Sequence, residues 1–357
     1  MIRQPIVLVA LFLLAIFARG DAQTVEVSLG AGISVRGKPI YWGQHSVVLM
    51  ERDGHMVTFR PAEAKKFRKL SDRFSSLSQA ELRGKLMREF GSDFDVSGTG
   101  QYLVVHPAGQ RDRWAERFEQ LYRSMVQYFR ARGFSTKRPE FPFTAIVFPT
   151  QESYQNYLRQ HDVELGFHSL GYYDLTSNRI HLYDVTAGRP DSPDWHINAG
   201  TIIHEAAHQT AYNIGIHQRH GDEPRWLVEG IGTLFEAAGI WDSRHHPTRQ
   251  ERINERQLQN YRRLVDSANS LALLQQQIAS DDLFGRTTNV AYAHAWAMTF
   301  FLTEQEPRRF AELIQQLNRR QAFGRYTAKE RIADFQKVFG SDLRMFDARM
   351  QRFLETL

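Results

Sequence analysis

Apolar and polar residues alternate between positions 24 and 60, and the spacing then lengthens to three or four. Between 24 and 60 the alternation predicts short strands at 25–29, 33–36, 47–51 and 56–60. Asp53-Gly54 separates the last two, a pair suited to the positive backbone angles of a hairpin turn. Helical spacing follows at 61–70 and 78–90, the second opened by Ser78 and Glu81 at capping-box separation. A strand is expected at 102–106. From 111 to 132, Trp114, Phe118, Leu121, Met125 and Phe129 recur at helical intervals, a stripe that belongs to a core. Residues 144–148 predict a strand and 151–160 a helix. Residues 171–174 and 179–183 flank Thr176-Ser177-Asn178 as a β-hairpin. Beyond that the pattern is helical almost to the end. There is no internal repeat, and the glycine-bearing run at 97–100 is taken as the boundary between a small β/α module at 24–95 and a larger domain at 96–357.

One helical stretch carries chemistry. In Thr-Ile-Ile-His-Glu-Ala-Ala-His at 201–208, His204 and His208 stand one turn apart on one face. That is the spacing of two nitrogen ligands to tetrahedral zinc, with Glu205 where such sites keep a general base. Ile202, Ile203, Ala206, Ala207, Ala211 and Ile214 make the helix apolar nearly all round. Three ionisable groups in such a helix are costly unless they bind something.

Two histidines do not hold a catalytic metal. Twenty residues separate His208 from Glu229, in the run at 224–236; Asp222 and Pro224 mark the start of its helix, which carries Glu229, Thr233 and Glu236 on one face. Gly230 and Gly232 form helix poorly and signal close packing on a neighbour. The polar stretch 215–223 can reverse the chain, so that His204, His208 and Glu229 meet at one point. Glu236 is either a carboxylate that orients a ligand histidine or an exposed one. His196, His217, His220, His245 and His246 have no defined spacing to the motif, and His217 and His220 are expected to be solvated.

His-Glu-Ala-Ala-His followed by Trp-Leu-Val-Glu-Gly resembles the gluzincin metallopeptidases. It is similar above all to the peptidase-MA-like proteins and to a poorly characterised family of exported bacterial proteins, over residues 140–320. The resemblance implies an α+β, zincin-like fold, one zinc ion held by His204, His208 and Glu229, Glu205 as base, and a peptide or protein substrate. It also implies a sheet edge above the zinc, so that Gly171, Tyr172 and Tyr173 become candidates for strand pairing with a substrate; an ordinary hairpin is the competing reading. A tyrosine from a later helix often serves the oxyanion in this group. Tyr292 is the candidate, and His294 its rival. Val228 stands where many gluzincins have Asn, and no Gly-Ala-Met-Glu-Asn run occurs, so aminopeptidase activity is not implied.

Composition changes this picture little. The 357 residues carry a formal charge of +5, with Lys and Arg interspersed among acids and no nucleic-acid-binding module. Arg3 precedes an apolar run at 6–18, too short for a stable span, and 1–22 reads as a signal peptide that exports the chain to the periplasm, envelope or medium. No membrane span is expected after its removal. A retained anchor is the alternative. There is no cysteine, hence no disulfide. The expected activity is hydrolysis of peptide bonds. Two other readings compete: a catalytically silent envelope-binding protein on the same scaffold, disfavoured by the retained Glu205, and a zinc hydrolase of a non-peptide amide.

Overall fold

A computed structural model describes residues 23–109, 114–163, 169–186, 189, 192, 195–265 and 269–357, and the segment expected to be a signal peptide, 1–22, lies outside them. The chain is α+β and divides into two compact units between Ser78 and Gln79.

The first unit holds β1 (Thr24–Ser28), β2 (Ser34–Trp42), β3 (Val47–Met50), β4 (Met56–Phe59) and β5 (Lys66–Ser71). They form one antiparallel sheet in the order β4-β3-β2-β1-β5. Alternation puts Val25, Val27, Val35, Val47, Leu49 and Phe59 in one small core. The β3–β4 turn needs a positive φ, which Gly54 supplies at +91°. The expected helix at 61–70 is a correction. Pro61–Glu63 makes a single 3-10 turn, and Lys66–Ser71 is a strand with Phe67 opposite Val27. Lys and Arg favour helix on their own, but pairing with β1 outweighs propensity. On the outer side, Arg36 and Arg68 both bind Glu26, at 2.5 and 2.6 Å. Residues 23–78 contain nine Lys or Arg against five Asp or Glu, whereas 79–357 contain thirty-four of each.

The second unit begins with α1 (Gln79–Phe90), β6 (Phe94–Gly98), β7 (Tyr102–Pro107), α2 (Ala115–Ala131), β8 (Phe143–Phe148), α3 (Gln151–Gln160), β9 (Gly171–Asp174) and β10 (Arg179–Tyr183). Its sheet runs β6-β7-β8-β10-β9, parallel through β7, β8 and β10, with antiparallel edges. The expected boundary at 95/96 is therefore displaced: the glycine run is the β6–β7 turn, and α1 packs on those strands. Strand β6 has no apolar run to announce it. Strand β8 is buried along its whole length, as a central strand covered on both faces should be. All five apolar residues of the α2 stripe are buried.

Helices α4 (Trp195–Ile214), α5 (Arg225–Phe235), α6 (Ala238–Trp241), α7 (Glu255–Leu264), α8 (Ser270–Ala279), α9 (Leu283–Arg286), α10 (Thr288–Gln305), α11 (Pro307–Leu317), α12 (Ala328–Phe339) and α13 (Leu343–Glu355) complete the unit. Among the described residues no helix is long and apolar enough to cross a membrane. Helix α10 is buried on every side from Ala293 to Thr303, and α5 lies directly on it. A Cβ at Gly230 would stand 2.8 Å from the Ala295 carbonyl oxygen and collide with the Thr299 hydroxyl. Gly230→Ala is therefore expected to lose about 1–3 kcal/mol of stability in denaturant unfolding, despite the better helix propensity of Ala.

His294 lies in the same core. Its Nδ1–H donates to Gln277 Oε1 at 2.7 Å, and burial pushes the imidazole down to about 4. An unfolded histidine titrates near 6.5, so between those values the unfolded chain holds the extra proton. Stability from this group is complete above pH 6.5 and is lost as pH falls through the folded value, by about 3 kcal/mol in total. His294→Leu should reduce the pH slope of unfolding free energy in that window by close to one proton.

Candidate metal centre

Helix α4 is fixed to the sheet by polar groups as well as by its apolar face. Gln209 Nε2 donates to the carbonyls of Thr144 at 3.2 Å and Asn178 at 2.7 Å, and Asn213 Nδ2 donates to Asn178 Oδ1. The helix ends at Gly215, whose φ of +85° lets the chain turn. The following loop brings α5 against α4. That loop corrects an expectation. His217 is 2% exposed rather than solvated, packed on the Tyr212 ring and 3.5 Å from Glu223 Oε2. Arg219, also buried, donates to the carbonyls of Leu175 and Thr176 in the β9–β10 turn. Backbone carbonyls of a distant hairpin thus satisfy a loop that reads as a surface segment.

The packing of α4 on α5 gathers His204, His208 and Glu229, which offer ligand atoms all within 4.8 Å of one another. The His204 and His208 Nε2 atoms are 2.9 Å apart, and Glu229 Oε2 is 3.5 and 3.7 Å from them. Ligands bonded to tetrahedral zinc at about 2.0–2.1 Å lie roughly 3.3–3.4 Å apart, so the triangle has the right size. Glu229 Oε2 is buried and accepts no hydrogen bond. A buried carboxylate oxygen with nothing to bind is expensive, and a cation between it and the two imidazoles removes that cost. These residues could hold a metal ion. Gly232 makes the approach feasible: a Cβ there would stand 2.8 and 2.9 Å from the Cε1 atoms of the two rings.

Burial alone would keep the His204 ring neutral. The nearby carboxylates of Glu229, Glu236 and Glu205 overcome that and raise its pKa well above the ordinary value. Burial likewise opposes charge on Glu229, and the two histidines outweigh it and hold the carboxylate well below the usual range. Glu236 stands at the end of α5. Its Oε1 takes the His204 Nδ1–H at 3.0 Å, while Oε2 accepts from Asn254 at 2.8 Å and Arg256 at 2.9 Å. In the neutral ring, a proton held on Nδ1 leaves the His204 Nε2 lone pair for the shared point.

Glu205 is half-buried, and among the described residues no group donates to its carboxylate. Tyr292, on α10, faces Glu229 and Arg225; burial first, then the Glu229 charge, pushes its hydroxyl up, so it stays protonated. His294, its rival, is enclosed against Tyr261 and Gln277. Strand β9 is the outer edge of the sheet and lies along α4: a Cβ at Gly171 would stand 2.9 Å from Thr201 Cγ2, and Tyr173 stacks on Tyr212. The Tyr172 ring is on the opposite sheet face, stacked on His181, so only its backbone is offered on the α4 side. His245 and His246 pair with Asp242 and Glu251 outside the cluster. His196 is on α4, and its side chain is outside the description. Sequence reading overlooked Arg225, Asn254 and Arg256. Arg225 was detectable, since it precedes Glu229 by one helical turn.

The family described as a protein of unknown function, DUF1570, matches residues 198–324, which include every residue of the cluster. No curated protein matches the chain. Among solved structures, an M1 zinc metallopeptidase from Deinococcus radiodurans is 14% identical, covering 72% of this chain and 50% of that one with a TM-score of 0.37. A point mutant of it gives the same identity and coverage and a TM-score of 0.38. A two-domain M1 zinc metallopeptidase mutant bound to L-arginine is 10% identical over 72% of this chain and 51% of that one, with a TM-score of 0.33. The chain spans about half the length of these structures.

Proposed function

We propose that the chain is a zinc-dependent hydrolase of peptide bonds. The observation that carries this reading is the matched triangle of His204, His208 and Glu229 beside an unencumbered Glu205. His204, His208 and Glu229 would hold the zinc, which would supply a Lewis acid able to polarise a carbonyl and lower the pKa of water towards about 7. Glu205 accepts the proton of the attacking water on a carboxylate oxygen and passes it to the leaving amine. Tyr292 donates its O–H to the oxygen that becomes negative. Glu236 keeps His204 in the tautomer that presents Nε2. Edge strand β9 offers backbone groups to an extended substrate along α4. The signal-like apolar run at 6–18 supports export, with this work done outside the cytoplasm.

The test is elemental analysis of the chain from residue 23 onward, together with digestion of a peptide library with and without a chelator. One zinc per chain and chelator-sensitive cleavage are expected. Glu229→Ala should bind zinc at least about a hundredfold more weakly, because the two histidines alone cannot close the site. A metal-free parent chain, or cleavage untouched by chelation, would sink the reading.

A further inference from the structure

We propose that Arg225 determines substrate specificity by receiving a carboxylate that the substrate carries next to the scissile amide. This rests on the peptidase reading of the same site. Arg225 opens α5, one turn before Glu229, and its Nε lies 3.5 Å from Glu229 Oε1, the oxygen turned away from the histidines. The guanidinium is held over the Phe284 ring, with its carbon 4.8 Å from the centroid. Phe284 in turn meets the Tyr292 ring edge-on at 5.4 Å. The backbone at Arg225 is anchored too. Its N–H donates to Asp281 Oδ1 at 2.9 Å, and Asp281 is clamped by the buried Arg331 at 2.7 and 3.2 Å.

A guanidinium has five N–H donors in one plane. Only the Nε side of Arg225 is turned to a carboxylate among the described residues, and 47% of the side chain is exposed. The half-exposed guanidinium, which also reaches the Tyr292 hydroxyl, therefore offers the rest of its fork to a ligand beside Glu229. A planar anion is the ligand that such a fork fits with two parallel bonds. Tyr292 is the donor proposed for the carbonyl oxygen, so a carboxylate on this fork belongs to the residue that adjoins the scissile bond. It comes either from a free C-terminus or from an Asp or Glu side chain.

Three pools of N-acetylated neutral hexapeptides separate these cases: one ending in an amide, one ending in a free carboxylate, and one amidated but with a single Asp or Glu. Binding to zinc-loaded Glu205→Gln protein is read by equilibrium dialysis and mass spectrometry, with Arg225→Gln or Arg225→Lys added. Cleavage by the parent chain and by Arg225→Gln is followed in parallel. At least one carboxylate pool should bind roughly tenfold better than the neutral amide pool, the order expected for a charge-assisted hydrogen-bonded pair. Arg225→Gln should abolish that ratio, and Arg225→Lys should keep part of it. The favoured pool identifies the source of the carboxylate. Equal binding of all pools, or a preference unchanged in Arg225→Gln, overturns the assignment. Loss of zinc from Arg225→Gln, with an unchanged preference once zinc is resupplied, also overturns it and leaves Arg225 as a prop for Glu229. A binding preference without cleavage by the parent chain refutes the peptidase reading and leaves the Arg225 assignment standing.

Discussion

Glu205→Gln is expected to retain its zinc and to lose about 10²–10⁴-fold in turnover, the usual contribution of a general base. The replacement preserves shape and removes only the ability to take a proton. No described residue donates to the Glu205 carboxylate, so no structural bond is lost with it. Its ionisable neighbours include His204, whose pKa its charge helps to raise. The ligand triangle itself does not include it. Elemental analysis and single-turnover cleavage of one peptide, measured on the same preparation, separate the two effects. Full turnover in a zinc-replete Glu205→Gln sample would refute its role. Loss of zinc would instead mean that Glu205 supports the ligand set.

The second large effect is expected at a residue with no side chain. Gly232→Ala should weaken zinc binding by at least about tenfold to a hundredfold, the range seen when groups supporting a ligand are disturbed. The new methyl group would press on both imidazoles at 2.8 and 2.9 Å and on His204 Nε2 at 3.1 Å. Neither ring can step aside freely. His204 is held by Glu236 at 3.0 Å, and His208 is 8% exposed within the α4–α5 contact. Gly230→Ala is the natural control, because its clash is with α10 rather than with the ligands. Zinc titration by competition with a chromophoric chelator should show weakened binding in Gly232→Ala and near-parent binding in folded Gly230→Ala. Equal zinc affinity in both variants would mean that the rings tolerate the intrusion.

Sequence pattern served best where the determining contacts are local. His204 and His208 are one turn apart, and Glu229 arrives on the next helix, so spacing and chain reversal were enough to bring them together. The β9–β10 hairpin was legible for the same reason. What escaped was decided at long range. Strand β5 is a strand because β1 lies beside it, and β6 because β7 does. His217 and Arg219 look like surface residues until the Leu175 carbonyl and the Glu223 carboxylate are placed against them. Tyr172 and Tyr173 are adjacent, yet pleating sends their rings to opposite faces, and only knowledge of which face carries α4 tells them apart. Glu236 could be named from its position on α5, but its bonds to Asn254 and Arg256 come from a separate stretch of chain.

The uneven division of charge between the two units bears on how substrates reach the centre. The unit that contains His204, His208 and Glu229 has equal numbers of formal positive and negative side chains, and the whole basic excess beyond residue 22 resides before Gln79. A body of zero net charge exerts little attraction beyond a screening length, which is about 8 Å at physiological ionic strength. On the proposed reading, the net charge of the site-bearing unit itself gives a charged peptide no long-range steering. If Arg225 acts as proposed, discrimination between acidic and neutral substrates is made after contact, at hydrogen-bonding range.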